Sequence, residues 1–168
     1  LGHVARVTGL YDLLDQGQDQ EHLVVDVYGA AGPVMASAVA FDVAITNPCA
    51  RSYVDQAATT NRSAASKREE VKVQKYDAAC AQAGITFVPA VFETYGTAGN
   101  LFEKWFKETM RRKDKLDKEA GVTPASWTAQ TTSAYWQQRL SVALQVGNAH
   151  IIHRRGARDN MSCMQDGA

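Results

Sequence analysis

Apolar and polar positions along the chain predict three β-strands in its first two thirds. β-Branched and alternating apolar residues place these strands at residues 22–28, 35–46 and 85–93. In the second strand, alternation puts Val39, Phe41, Val43 and Ile45 on one face and Asp42 and Ala44 on the other. Gly29 to Pro33 form a turn between the first two strands, and Asn47-Pro48 ends the second.

Helical spacing of apolar residues predicts three helices. The first runs from an N-cap at Ser63 to a stop at Gly84, with an apolar stripe of Val73, Tyr76, Cys80 and Ala83. The others cover about 100–119 and 125–152. Residues 49–62 are expected to form a loop. The resulting order, β-β-α-β-α-α, predicts an α/β fold with a small mixed sheet flanked by helices.

This pattern divides the chain into four stretches. They are a leader with a partial helix (1–20), an α/β core (21–96), C-terminal helices packing on that core (97–155) and a flexible polar tail (156–168). The chain begins with Leu, so we expect a piece of a longer or processed polypeptide.

Composition and charge narrow the functional classes. A length of 168 residues, with 45% hydrophobic and 21% charged residues, is typical of one globular domain. A formal net charge of zero argues against a nonspecific nucleic-acid coat protein. Three scattered cysteines without a CxxC pair argue against structural zinc and a disulfide framework, and favour a reducing, intracellular compartment. Because no run of about 18 apolar residues occurs, no membrane partner is expected.

Three acidic residues lie in strand-like segments, where acidic residues are uncommon. Asp26 and Asp42 fall in the first two predicted strands, and Glu93 ends the third. Carboxylates from adjacent strands can share a hard divalent cation such as Mg²⁺. The alternatives are an edge-exposed Asp42, a turn-proximal Asp26, and a Glu93 that orients the following turn or accepts a hydrogen bond from Arg139. For Glu93 the structural alternative is the preferred one.

The predicted helix between the second and third strands carries a basic group. Lys72 and Lys75 are three residues apart, so they share a face. One of them could position an attacking water or stabilise phosphate charge, while a solvated helix face is the commoner explanation. Lys67, Arg68 and Tyr76 on the same helix are candidate DNA contacts.

Three motifs resemble the restriction-like endonuclease domain at the C-terminal end of non-LTR retrotransposon reverse-transcriptase polyproteins. Residues 41–48 (FDVAITNP) resemble its D-V-T-V-x-N-P strand, and residues 87–96 (FVPAVFETYG) are similar to its F-x-P-x-x-x-E-T-x-G strand and turn. Residues 138–149 (QRLSVALQVGNA) resemble its closing helix. The motifs occur in the family's order and cover roughly residues 22–150.

The resemblance implies a restriction-endonuclease-like PD-(D/E)xK core that nicks DNA with Mg²⁺ or Mn²⁺. Asp26 and Asp42 match its two acidic, metal-holding positions, and we expect Glu93 to be a supporting ligand or an orienting residue. The core lysine is absent because Ala44 takes its place; Lys72 and Lys75-Tyr76 match the family's K-x-x-K-Y helix instead. The implied partners are DNA and the reverse-transcriptase and nucleic-acid-binding domains of one polyprotein, in a nuclear or intracellular location. The rival interpretations are an inactive remnant that binds DNA or protein and an interaction module with structural acids.

Overall fold

The computed structural model describes residues 25–122 and 129–165, with side chains as far as Arg154. Two compact units divide the chain, Leu1–Thr123 and Pro124–Ala168. The described elements are β1 (Val27–Gly29), β2 (Val39–Thr46), α1 (Val54–Ala57), α2 (Ser63–Gln82), β3 (Thr86–Glu93), α3 (Asn100–Glu119) and α4 (Thr132–Gln165). The first six belong to the first unit and α4 to the second.

The described strands form one small mixed sheet in the order β1-β2-β3. β1 pairs antiparallel with β2, and Val27 lies opposite Phe41. β2 and β3 run parallel, because α2 carries the chain back to the same end of the sheet, and Asp42 lies beside Pro89. Pro89 is tolerated because β3 lies at the edge of the sheet that the described strands form. The predicted α/β class with a small mixed sheet is therefore confirmed.

The sheet is covered by α2 on one face and α3 on the other. On the α2 face, Ala40 and Phe87 pack with Tyr76 and Cys80 in the main apolar cluster. On the α3 face, Phe41 meets Trp105 with ring centroids 4.7 Å apart, and further ring contacts join Phe92 and Phe102. Since neighbouring strand residues point to opposite faces, Asp42 faces α2 together with Ala40.

The first strand is shorter than the sequence predicts. Part of the predicted strand, residues 22–24, lies outside the described residues, and the ladder with β2 begins only at Val27. Val25 is buried in the apolar cluster on the α2 face. The ladder does not extend to Asp26. There the Asp26 side chain, instead of a strand carbonyl, accepts the hydrogen bond of the Val43 N–H on β2.

Helix α2 begins differently from the prediction. Ser63 is its first helical residue instead of its N-cap, and its buried hydroxyl has no hydrogen-bond partner among the described residues. The capping position belongs to Arg62, whose φ of 65° is left-handed and which provides no side-chain cap. At the other end, Gly84 follows the helix with φ 68°, a conformation that glycine adopts without strain.

Two further segments differ from their predictions, and one agrees. Residues 49–62 contain the short helix α1 within the predicted loop. Helix α4 continues to Gln165, past the predicted tail boundary at residue 156. Helix α3 has the predicted bounds. Among the described residues, no helix is both long and apolar enough to cross a bilayer.

Candidate functional site

Asp42 lies at the centre of the candidate site, in the middle of β2. Its side chain turns toward α2 and is buried, with 5% of the residue exposed. The opposite face of the strand shows the reverse: Val43 and Ile45 are 46% and 44% exposed. An edge-exposed Asp42 is thereby excluded. A buried carboxylate needs a charged or hydrogen-bonding partner, since desolvation disfavours its ionised form.

That partner is Lys72 of α2. The Lys72 ammonium forms an ion pair with Oδ2 of Asp42, and the two side chains are only 15% and 7% exposed. Oδ2 receives no hydrogen bond of normal geometry from the described residues, so its contact with Lys72 is ionic. Because α2 lies across the sheet face, it brings Lys72 to a carboxylate far from it in sequence. Asp42 and Lys72, two predicted site residues, are thus in direct contact.

Asp26 lies beside the same part of β2. Its backbone N–H donates to the Phe41 carbonyl (2.9 Å), and its Oδ2 accepts from the Val43 N–H (2.7 Å). The carboxylate therefore replaces the backbone acceptor that β1 would supply if it continued along β2. Asp26 is exposed. This arrangement places the first predicted carboxylate next to the backbone that carries the second.

Tyr76 lies one helical turn beyond Lys72 and faces the same carboxylate. Burial raises its pKa to about 12, and the charge of Asp42, hydrogen bonding to Asp42 and the charge of Asp26 act in the same direction. The Lys72 and Lys75 ammonium groups lie 5.7 and 5.4 Å from the centre of its ring. The ring also packs on Phe87, with centroids 5.1 Å apart. Tyr76 was predicted to contact DNA, but its ring is part of the core.

Glu93 does not join this group. In the parallel register it lies level with Thr46, four residues past Asp42, which is roughly 13 Å along the sheet. Its buried carboxylate accepts from the backbone N–H of Ala65 in the first turn of α2 (3.3 Å). Glu93 therefore caps a helix that has no cap from its own sequence, in line with the preferred structural alternative. It is too far along the strand to share an ion with Asp42.

A second buried carboxylate, Glu69, caps α3 and was not singled out from the sequence. Its Oε1 accepts from the N–H groups of Leu101 (3.0 Å) and Phe102 (3.4 Å). Burial raises the pKa of Glu69, and these hydrogen bonds act in the opposite direction. A Cβ on Gly99 would overlap the Glu69 carboxylate, so a larger residue there must displace that carboxylate. The available signal was spacing, because Glu69 lies on the stripe of Val73, Tyr76 and Cys80.

The other predicted DNA-binding and catalytic cations lie around this group at the surface of α2. Lys75 is exposed and lies over Tyr76, without an ion pair to Asp42. Arg68 is half-buried, and its charge lowers the pKa of Tyr76 slightly, which places it near the same group. Lys67 is exposed and points elsewhere, with its ammonium 5.8 Å from the centre of the Tyr53 ring. Of these cations, the structure brings Arg68 and Lys75 toward the site.

We name Asp26, Asp42, Lys72 and Tyr76 the β2–α2 cluster. Across the described part of the chain, no three acidic, histidine or cysteine side chains converge on a possible metal position. The cluster has two carboxylates, and Mg²⁺ is commonly held by one or two carboxylates together with waters and substrate phosphate oxygens. Oδ2 of Asp42 is already paired with the Lys72 ammonium.

Comparison with known proteins adds no assignment, since no family model, curated protein or solved structure matches the chain. Function must therefore be argued from the β2–α2 cluster itself.

Proposed function

We propose that this chain is a metal-dependent DNA endonuclease domain, with a restriction-endonuclease-like core, that nicks a target strand. The observation that carries the proposal is the buried ion pair of Asp42 with Lys72, with the Asp26 carboxylate bound to the backbone N–H of the next β2 residue, Val43. Two carboxylates and a lysine from three separate segments are brought together, although a solvated helix face was the commoner expectation for Lys72. Burial of an ion pair is costly, which favours a purpose for these residues beyond stability.

Asp42 and Asp26 are the residues that would hold Mg²⁺ or Mn²⁺. Oδ2 of Asp42, which has no hydrogen bond of normal geometry among the described residues, and the exposed carboxylate of Asp26 would provide the ligand oxygens. When bound, such an ion supplies a more acidic water and charge that stabilises the phosphate in the transition state.

The chain's own residues would bind and orient the substrate. Lys72 lies at the carboxylate and can donate to a phosphate oxygen placed there, which stabilises developing negative charge. Tyr76 stays protonated at neutral pH and holds Asp42 from the core side. Lys75 and Arg68 add positive charge around the cluster and would contact neighbouring phosphates. Glu93 and Glu69 fix the first turns of α2 and α3, and so keep Lys72 aligned on the sheet.

The same geometry favours a second candidate, an inactive remnant that binds DNA or protein. Lys72 already neutralises Asp42, and Glu93, the expected supporting ligand, is used as a helix cap. In this alternative the ion pair is a stable structural feature, and the partners are DNA or other domains of a retrotransposon-type protein in the nucleus or elsewhere in the cell. It differs from the first proposal in predicting no cleavage with any metal.

A supercoiled-plasmid nicking assay in Mg²⁺ and in Mn²⁺ tests the proposal. Wild type is compared with Asp42→Asn, which keeps the side-chain shape and removes the charge, and with Glu93→Gln, which alters a carboxylate outside the cluster. Metal-dependent nicking that is lost in Asp42→Asn and kept in Glu93→Gln supports the nuclease. Folded wild type without nicking in either metal refutes it and favours the remnant.

A further inference from the structure

Lys72 occupies the side of Asp42 that a metal would use. Its ammonium is paired with Oδ2, the oxygen that has no other polar contact of normal geometry. Both side chains are largely buried, so solvent screens their attraction only weakly. A cation arriving at Oδ2 must therefore displace the ammonium or share the oxygen with it.

From this geometry we infer that Lys72 is an internal counter-ion that competes with a divalent cation for Asp42, so that metal binding releases the lysine toward the substrate phosphate. The inference rests on the proposed metal site and adds its regulation. With metal absent, the lysine keeps the buried carboxylate neutralised and the fold intact. With metal bound, Lys72 is freed beside the place where the phosphate lies.

The competition has a measurable cost in metal affinity. A ligand whose binding-competent state is populated only in part has its apparent affinity reduced by that fraction. If the lysine leaves Oδ2 about a tenth of the time, metal binds about tenfold more weakly than to the free carboxylate. Removing the Lys72 ammonium should therefore strengthen metal binding by the same factor. It should do so even though the lysine is a favourable group for phosphate chemistry.

Lys75 provides a matched control for general electrostatics. It lies on the same helix, and its ammonium is about as far from the Tyr76 ring as that of Lys72, at 5.4 against 5.7 Å. It is exposed and has no ion pair with Asp42. Removing either lysine lowers the positive charge near the cluster by one unit, but only Lys72 blocks Oδ2. The difference between the two variants therefore isolates the direct competition.

The experiment measures the dissociation constant for Mn²⁺ alone, by electron paramagnetic resonance of the free ion, in wild type, Lys72→Met and Lys75→Met. We expect Lys72→Met to bind Mn²⁺ about tenfold more tightly and Lys75→Met to change by about twofold or less. Added Mn²⁺ should also raise the melting temperature of Lys72→Met more than that of wild type, since its buried carboxylate has lost its partner. If Lys72→Met does not fold without metal, Lys72→Gln is measured in its place.

Equal changes in the two variants, or weaker binding after loss of Lys72, would overturn the inference. Nicking is scored separately on the same samples. Tighter Mn²⁺ binding by Lys72→Met with no nicking by wild type supports the competition and refutes only the nuclease. Nicking by wild type with equal Mn²⁺ affinities refutes only the competition. No Mn²⁺ binding by wild type or either variant overturns both the inference and the metal site on which it rests.

Discussion

Replacing Glu93 separates a helix cap from a metal ligand. Glu93 is 6% exposed, and its carboxylate accepts the Ala65 N–H in the first turn of α2. Helix α2 has no cap from its own N-cap residue, Arg62, so this contact satisfies a buried donor that would otherwise be orphaned. Glu93→Ala removes the cap and leaves space behind it, whereas Glu93→Gln keeps an acceptor and loses the charge.

The structure sets the expected magnitudes. Loss of an N-terminal cap costs about 1–2 kcal/mol of unfolding free energy, so we expect about 2 kcal/mol for Glu93→Ala. For Glu93→Gln we expect about 0.5–1 kcal/mol, the value of a charge at a helix N-terminus. Because Glu93 lies roughly 13 Å along the sheet from Asp42, too far to share a metal ion with it, neither change should alter Mn²⁺ affinity by more than about twofold.

The assay combines urea unfolding, followed by circular dichroism, with Mn²⁺ titration of the same samples. Asp42→Asn is the contrasting variant, and it should abolish Mn²⁺ binding. The reasoning is refuted if Glu93→Gln loses Mn²⁺ binding while keeping wild-type stability. In that case Glu93 is a ligand, the alternative role considered for it from the sequence, and its contact with Ala65 is incidental.

Three further predictions concern stability. Gly99→Ala should lower the unfolding free energy by about 1–2 kcal/mol in urea, because its Cβ displaces the Glu69 carboxylate that caps α3; wild-type stability would show that Glu69 is dispensable. Hydrogen bonding to Arg62 is the main cause that lowers the pKa of Glu103 to about 2. The ionised Glu103 therefore stabilises the fold above about pH 4.5, and this stabilisation is lost as the pH falls toward 2. Melting temperatures of Glu103→Gln should therefore fall less than those of wild type across that window, and parallel curves would contradict the ion pair. Tyr76, with its pKa raised to about 12, favours folding below pH 10 and loses that contribution as the pH rises toward 12; absorbance at 295 nm should show one late-titrating tyrosine that is missing in Tyr76→Phe.

Much of the local structure follows from short-range pattern. Alternation along the predicted strand 35–46 and the apolar run that ends at Glu93 predicted β2 and β3, although β2 begins only at Val39. Helix α3 has its predicted bounds. Helix α2 stops before Gly84, as predicted, because glycine takes a left-handed φ without strain. These features depend on residues near in sequence, where periodicity and backbone preference act directly.

The predictions that failed depended on contacts between elements. Ser63 looked like an N-cap, yet α2 is capped from β3 by Glu93, so a distant carboxylate removed the need for a local one. Tyr76, a candidate DNA contact, lies in the core, as its place on the predicted apolar stripe of the helix indicates. Helix α4 continues past the polar residues that were expected to end it.

The sequence by itself determined the residue types and their order: three carboxylates in strand-like runs, a lysine pair on the helix between the second and third strands, and an α/β alternation. It could not assign roles to the carboxylates, because role depends on which helix lies over which strand. The parallel register of β2 and β3 places Glu93 four residues beyond the level of Asp42. The path of α2 brings Lys72 into an ion pair with Asp42. It also brings the Ala65 N–H within hydrogen-bonding distance of Glu93. Buried charges must find partners through space, so only the tertiary structure decided which carboxylate caps a helix and which pairs with a lysine.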